Sequence, residues 1–207
     1  MDFRIPYFII LSIGSIVGIY RINSLTKSSK LFLLLLVTTF VIELASYFMG
    51  KILKNNLIIY NIYMPIYLNV FLYGIVADIK REKILWMGLF FLILWGLTYL
   101  YTGSIYKFNT LALQMSLIIQ IIVSLVALFD LLKSDTLEPL IDFPLFWICS
   151  GFLIFSSANL IALGAYNYIN RSEILVSIFQ KLRIYSNYLL YILFLVSFMV
   201  KQNSIKK

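Results

Sequence analysis

Glu43 is the one carboxylate in FVIELASYFMG, residues 40–50, a stretch otherwise made of apolar and small side chains. Thr39, Glu43, Ser46 and Gly50 follow one another at spacings of four, three and four, so in a helix they share a face. A second polar set lies in YNIYMPIYLN, residues 60–69, where Asn61, Pro65 and Asn69 recur at i, i+4 and i+8 beside Tyr63. Proline there removes a backbone donor and frees a carbonyl that neighbours or water must satisfy, which makes the kink either a ligand or ion position or a simple helix bend. Ser116, Gln120 and Ser124 repeat at spacings of four, and Asn159 and Asn187 follow serines in SSAN and YSN. Amides, hydroxyls and one carboxylate can line a cavity for a small ligand or ion, or they can bond helix to helix.

These groups do not make a catalytic set. The chain has no His, and its one Cys, Cys149, lies in an apolar run. The usual His/Cys metal sites and an intrachain disulfide are thereby removed from consideration. Glu43 has no second acid on its side of the bundle, and the serines have no base beside them. No catalytic, metal-ligating or cofactor-binding residue is assigned, and the expectation is a protein that is not an enzyme and needs no cofactor.

The elements that must position these residues are membrane helices. Of 207 residues, 62% are hydrophobic and 13% charged, with a mean hydropathy of +0.95, so the chain has too little polar surface for a soluble domain of its size. Apolar windows fall near 5–20, 31–49, 57–77, 84–101, 111–131, 144–164 and 184–200. They predict an all-α, polytopic helix bundle of about seven transmembrane helices in one domain, residues 1–207. The first window resembles a signal peptide core but lacks a small-x-small cleavage site, so it is read as a retained helix. Asn170 to Glu173 has capping-box spacing, which starts the last helix near 171 and projects it from the bilayer before it spans.

Lys and Arg are more numerous in the first, third and fifth connections and the C-terminal tail than on the other side. The positive-inside rule then places the N-terminus outside and the C-terminus in the cytoplasm of a cell membrane, read as a bacterial inner membrane. In that orientation Glu43, Ser46, Asn61, Ser116, Asn159 and Asn187 all fall in outer halves, whereas inner halves such as LFLLLLVTTF and YILFLVSFMV are nearly free of strong polar groups. Asp130 and Ser124 are the main inner exceptions. The pattern predicts an outward-facing polar cavity with an apolar floor and Glu43 as its charged member. Its expected lining is Glu43, Ser46, Asn61, Tyr63, Pro65, Asn69, Gln120, Asn159 and Asn187.

Gly14 and Gly18 in GSIVG allow close helix packing, within the chain or between copies as a homo-oligomer. IYNIY, residues 59–63, and IYSNY, residues 184–188, share Ile, Tyr and Tyr in register, as they would if helices one to three and five to seven were repeats joined by helix four. With a Glu in helix two and a Tyr/Asn-rich helix three, the layout resembles that of small bacterial seven-span membrane proteins, and the resemblance implies the fold without an activity.

The net charge of +8 is spread over the ends of apolar runs, which suits topology and anionic lipid rather than nucleic acid. Expected partners are the lipid bilayer and a membrane or cytoplasmic protein. Two functions follow: a sensor or accessory signalling protein acting through a separate partner, or a transporter of small solutes or ions, including an oligomeric pore-type effector.

Overall fold

The computed structural model describes residues 4–102, 104, 106–134, 138–164 and 173–202. Among them are seven α-helices: α1 Arg4–Tyr20, α2 Lys27–Leu53, α3 Leu57–Ile79, α4 Leu85–Thr102, α5 Thr110–Leu132, α6 Pro144–Gly164 and α7 Glu173–Met199. Single 3-10 turns, Glu82–Ile84 and Leu140–Asp142, precede α4 and α6. No strand occurs among the described residues.

Local chemistry explains where the helices stop. The Thr26 hydroxyl accepts from the Ser29 N–H at 3.2 Å and caps α2, and the Asn109 side chain accepts from the Ala112 N–H at 3.1 Å and caps α5. The chain leaves α2 and α3 through left-handed Lys54 and Lys80, each at φ 55°, with the Lys80 N–H bonded to the Val76 carbonyl at 2.9 Å. Six helices are long and apolar enough to cross a membrane. The 17 residues of α1 span roughly 25 Å, short of a hydrocarbon core of about 30 Å, whereas the 27 residues of α2 and of α7 span roughly 40 Å and must tilt or project.

Two boundaries differ from the sequence windows. Helix α3 runs on to Ile79, so Asp78, which the composition places in a polar connection, is helical and only 7% exposed. Beside it the Ser28 hydroxyl donates to the Gly74 carbonyl at 2.8 Å, joining the first turn of α2 to the end of α3. Helix α7 starts at Glu173, before the apolar window at 184 and close to the start near 171 expected from the capping-box spacing; the box itself, Asn170 to Glu173, lies outside the described residues, except for the Glu173 backbone.

Six helices form a ring in the order α1, α2, α3, α5, α6, α7, with α7 closing back on α1. Helix α4 stands outside it, packed on α3 and α5. This neighbour order is unchanged if α1–α3 are exchanged with α5–α7, as a repeat with α4 for its linker requires. The end of the ring at which α2, α4 and α6 finish and α3, α5 and α7 start is the N-face; the opposite end is the C-face. Ile13 and Ile16 of α1, Phe90 and Ile93 of α4, and Ile118 and Ile122 of α5 point outward and remain exposed, an apolar belt that only lipid tails can cover without cost. The chain is a multi-pass membrane protein residing in a lipid bilayer.

Inside the ring, Phe32 of α2, Phe71 of α3, Phe152 of α6 and Phe194 of α7 meet on its axis, all fully buried. The Phe152 ring centroid lies 4.3 Å from that of Phe71, 5.5 Å from Phe194 and 6.1 Å from Phe32. Tilted rings in mutual contact from four helices fill the axis with apolar side chains at that depth.

The glycine pair of α1 packs within the chain. A Cβ on Gly14 would stand 3.0 Å from Leu36 Cδ2, and one on Gly18 would overlap Leu33 Cδ1 of α2 and come within 3.2 Å of Phe198 Cδ2 of α7. Gly18→Leu is expected to force α1 off both neighbours, at about 1–3 kcal/mol or more. A thermal unfolding midpoint in detergent equal to wild type would place the α1 seam elsewhere.

Candidate functional site

Two adjoining cavities occupy the N-face half. The larger, about 550 Å³, lies among α1, α2, α3, α5, α6 and α7. The smaller, about 340 Å³, lies between α1, α2 and the start of α3. Tyr7, Glu43 and Tyr60 line both and form the wall they share.

That wall is a hydrogen-bonded bridge. Glu43 sits ten residues before the end of α2, and its two carboxylate oxygens take separate donors: the Tyr7 hydroxyl from α1 reaches Oε1 at 3.1 Å, and the Tyr60 hydroxyl from α3 reaches Oε2 at 2.8 Å. A carboxylate at membrane depth is costly unless its lone pairs are met, and here two phenols from different helices meet them. Glu43 pairs with no cation among the described residues.

Tyrosines continue the lining of the larger cavity. The Tyr63 hydroxyl bonds Thr39 Oγ1 at 2.7 Å, Tyr67 lies beside it at 5.7 Å between ring centroids, and Tyr191 packs edge-on to Tyr7 at 5.6 Å. Tyr67 rests on Phe152 at 6.0 Å and Tyr191 on Phe194 at 6.2 Å, so these two tyrosines form the cavity's floor with the four-phenylalanine cluster packed beneath them. On the α5–α6 side, the Ser156 hydroxyl donates to Gln120 Oε1 at 2.9 Å, with both residues buried.

Opposite Glu43 in the chain order, α6 and α7 bring in a cation. The Arg183 Nε donates to Asn159 Oδ1 at 3.3 Å, while the Asn159 amide nitrogen donates to the Phe155 carbonyl at 2.8 Å and to Ser186 Oγ at 3.3 Å. Asn187 lines the same region and donates to the Arg183 carbonyl at 3.1 Å. Arg183 has no carboxylate partner among the described residues.

Of the residues singled out by spacing, Glu43, Tyr63, Gln120, Asn159 and Asn187 line the larger cavity, and Glu43 and Ser46 the smaller. Ser46 accepts there from the Asn56 amide at 2.8 Å. Asn61, Pro65 and Asn69 are not among the lining residues. The carbonyl that Pro65 leaves without its helical donor belongs to Asn61, and the Trp95 indole N–H of α4 supplies a replacement at 3.2 Å. The Asn61 side chain meanwhile donates to the Lys107 carbonyl at 2.9 Å and accepts from the Asn109 N–H at 3.4 Å, fastening the α4–α5 connection. Asn69 donates to the Pro65 carbonyl at 2.9 Å on its own helix and packs against Gly88. The kink is thus met by protein groups that hold α4 in place.

Asp130 is accounted for in the same way. Its Oδ1 pairs with Arg81 at 2.6 Å near the C-face, tying the α3–α4 connection to α5. Ser124 is fully buried with its hydroxyl unpartnered, and it lies outside the cavity lining. Among the described residues, no cluster of His, Cys, Asp or Glu could hold a metal ion.

No family model, no curated protein and no solved structure matches this chain. Of the expected resemblance to small bacterial seven-span proteins only the coarser statement is supported, a multi-span, all-helical membrane protein, and the functional reading rests on the cavity.

Proposed function

We propose that this protein is a ligand-binding membrane sensor or accessory signalling protein, which binds a small polar ligand in the N-face cavity without transforming it and acts through a separate partner. The observation that carries this reading is a largely apolar cavity with a carboxylate and several amides in its wall, beneath whose floor tyrosines four phenylalanines interlock. A cavity that ends on such a floor can hold a ligand and pass on a helix displacement, but it offers the ligand no exit on the far side. The positive-inside rule turns the cavity outward and leaves the basic connections, including Lys80, Lys83 and Lys133, on the cytoplasmic face for a partner.

The exchangeable order of α1–α3 and α5–α7 favours a second reading, a transporter of small solutes or ions in which one half rocks against the other. Side-specific labelling separates the two. In a Cys149→Ala background, Ser116→Cys in the cavity lining should react with a membrane-impermeant maleimide from outside intact cells and stay protected in inside-out vesicles, while Ser197→Cys should stay protected in both. Reaction of Ser116→Cys from both faces would replace the sensor reading with alternating access.

A further inference from the structure

The larger cavity holds two opposite charges that do not neutralise each other. Glu43 reaches it from α2 with only phenolic donors on its carboxylate, and Arg183 reaches it from α7 with only its Nε engaged, by a neutral amide. Neither has an ion-pair partner among the described residues. Glu43 is half-buried, where a carboxylate without a counter-charge is unfavourable, and Arg183 is exposed at the cavity's N-face side; two charges of opposite sign facing one void can both be met by one molecule that carries both.

We infer that the ligand is a zwitterion with an ammonium group at one end and a phosphate at the other, an inference that rests on the ligand-cavity reading above. The ammonium end belongs beside Glu43. Tyr7, Tyr60, Tyr63 and Tyr191 gather there, and the negative faces of such rings attract alkylammonium groups while the carboxylate supplies the net charge. The phosphate end belongs beside Arg183, whose planar guanidinium keeps its terminal N–H groups for a bidentate contact, while Asn159 holds the Nε side in place. The cavity's volume, about 550 Å³, is in the range that encloses a small organic ligand. A lone cation would engage Glu43 alone and a lone anion Arg183 alone, so each half-ligand makes one of the two charged contacts and the zwitterion makes both. An ammonium–phosphate zwitterion occurs as a phospholipid headgroup and as a free phosphoester, and the chemistry of recognition is shared.

Calorimetric titration of the purified, delipidated protein in detergent tests this with phosphoethanolamine, tetramethylammonium and methyl phosphate as probes. Phosphoethanolamine should bind about tenfold or more tightly than either half-probe. Glu43→Gln should remove tetramethylammonium binding and keep that of methyl phosphate, Arg183→Gln should do the converse, and Arg183→Lys should restore part of the phosphate response. Phosphoethanolamine binding no tighter than that of its halves, or unchanged in both variants, would overturn the inference, provided that each variant elutes as wild type by size exclusion. To assign the source, phosphatidylethanolamine nanodiscs would compete with the free phosphoester if the headgroup is the ligand and leave its binding unchanged if it is not. Failure here is distinct from failure of the cavity reading. Ser116→Cys labelled from the N-face alone, with no protection by phosphoethanolamine, rejects the zwitterion and keeps the cavity; labelling from both faces rejects the closed floor whatever binds.

Discussion

Phe152→Ala is expected to cost about 3–5 kcal/mol of stability and to unseal the cavity floor. Its ring touches Phe71, Phe194, Phe32 and Tyr67, at 4.3, 5.5, 6.1 and 6.0 Å between centroids, so its removal leaves a void where four helices converge. In a bilayer the lost term is packing rather than burial from water, because lipid tails are as apolar as the ring they replace. Two measurements check it: the thermal midpoint in detergent should fall, and Ser116→Cys should become reactive from the C-face. Phe152→Leu, which keeps most of the volume, should keep the seal. An alanine variant that melts like wild type and stays closed from the C-face would show that the floor is built by other residues.

Glu43→Leu comes second in expected size. It removes the Glu43 acceptor from the Tyr7 and Tyr60 hydroxyls, at about 1 kcal/mol or more for each bond that no other group or water replaces. The loss acts on three helices together, since the carboxylate of α2 is what draws α1 and α3 to a common wall. The cause is isolated by a rescue: Tyr7→Phe and Tyr60→Phe combined with Glu43→Leu removes the orphaned donors and should recover most of the thermal midpoint without recovering ligand binding. If the triple variant is no more stable than Glu43→Leu alone, the phenols are satisfied by another route and the bridge is not what orders the wall.

Depth and face could be read from the chain, and neighbours could not. Thr39, Glu43 and Ser46 lie on one face because helical geometry alone puts them there, and an apolar lower half is visible in LFLLLLVTTF before any packing is known. The Tyr7 bond to Glu43 joins residues 36 apart and depends on α1 lying against α2, which no periodicity encodes. Arg183 reads as one more flanking charge because the apolar window starts after it; only the early start of α7 brings it into the wall of the cavity. Asp78 reads as a loop residue for the same reason, as it stands next to a run of charges. Asn61 and Asn69 have the right spacing for a site, yet the carbonyl freed by Pro65 and the nearby connection offered them protein partners. A polar pattern in a membrane helix marks where polar groups must be met, and the partner that meets them is a tertiary fact.

The closure of the ring has a consequence for biosynthesis. Arg21, just after α1, donates to the Phe198 and Met199 carbonyls at the end of α7, both at 2.7 Å, across 177 and 178 positions of chain. Helix α1, which precedes α7 in the chain, thus enters the bilayer with one flank unpartnered and keeps it so until the ribosome has delivered α7. Its glycine face and Tyr7 can meet α2 at once, but the Tyr7–Tyr191 wall is assembled only when the last span arrives. The cavity is therefore complete only after α7 has been delivered, and a stalled chain lacking α7 would present the inserted α1 and α2 as an open edge for membrane quality control to recognise.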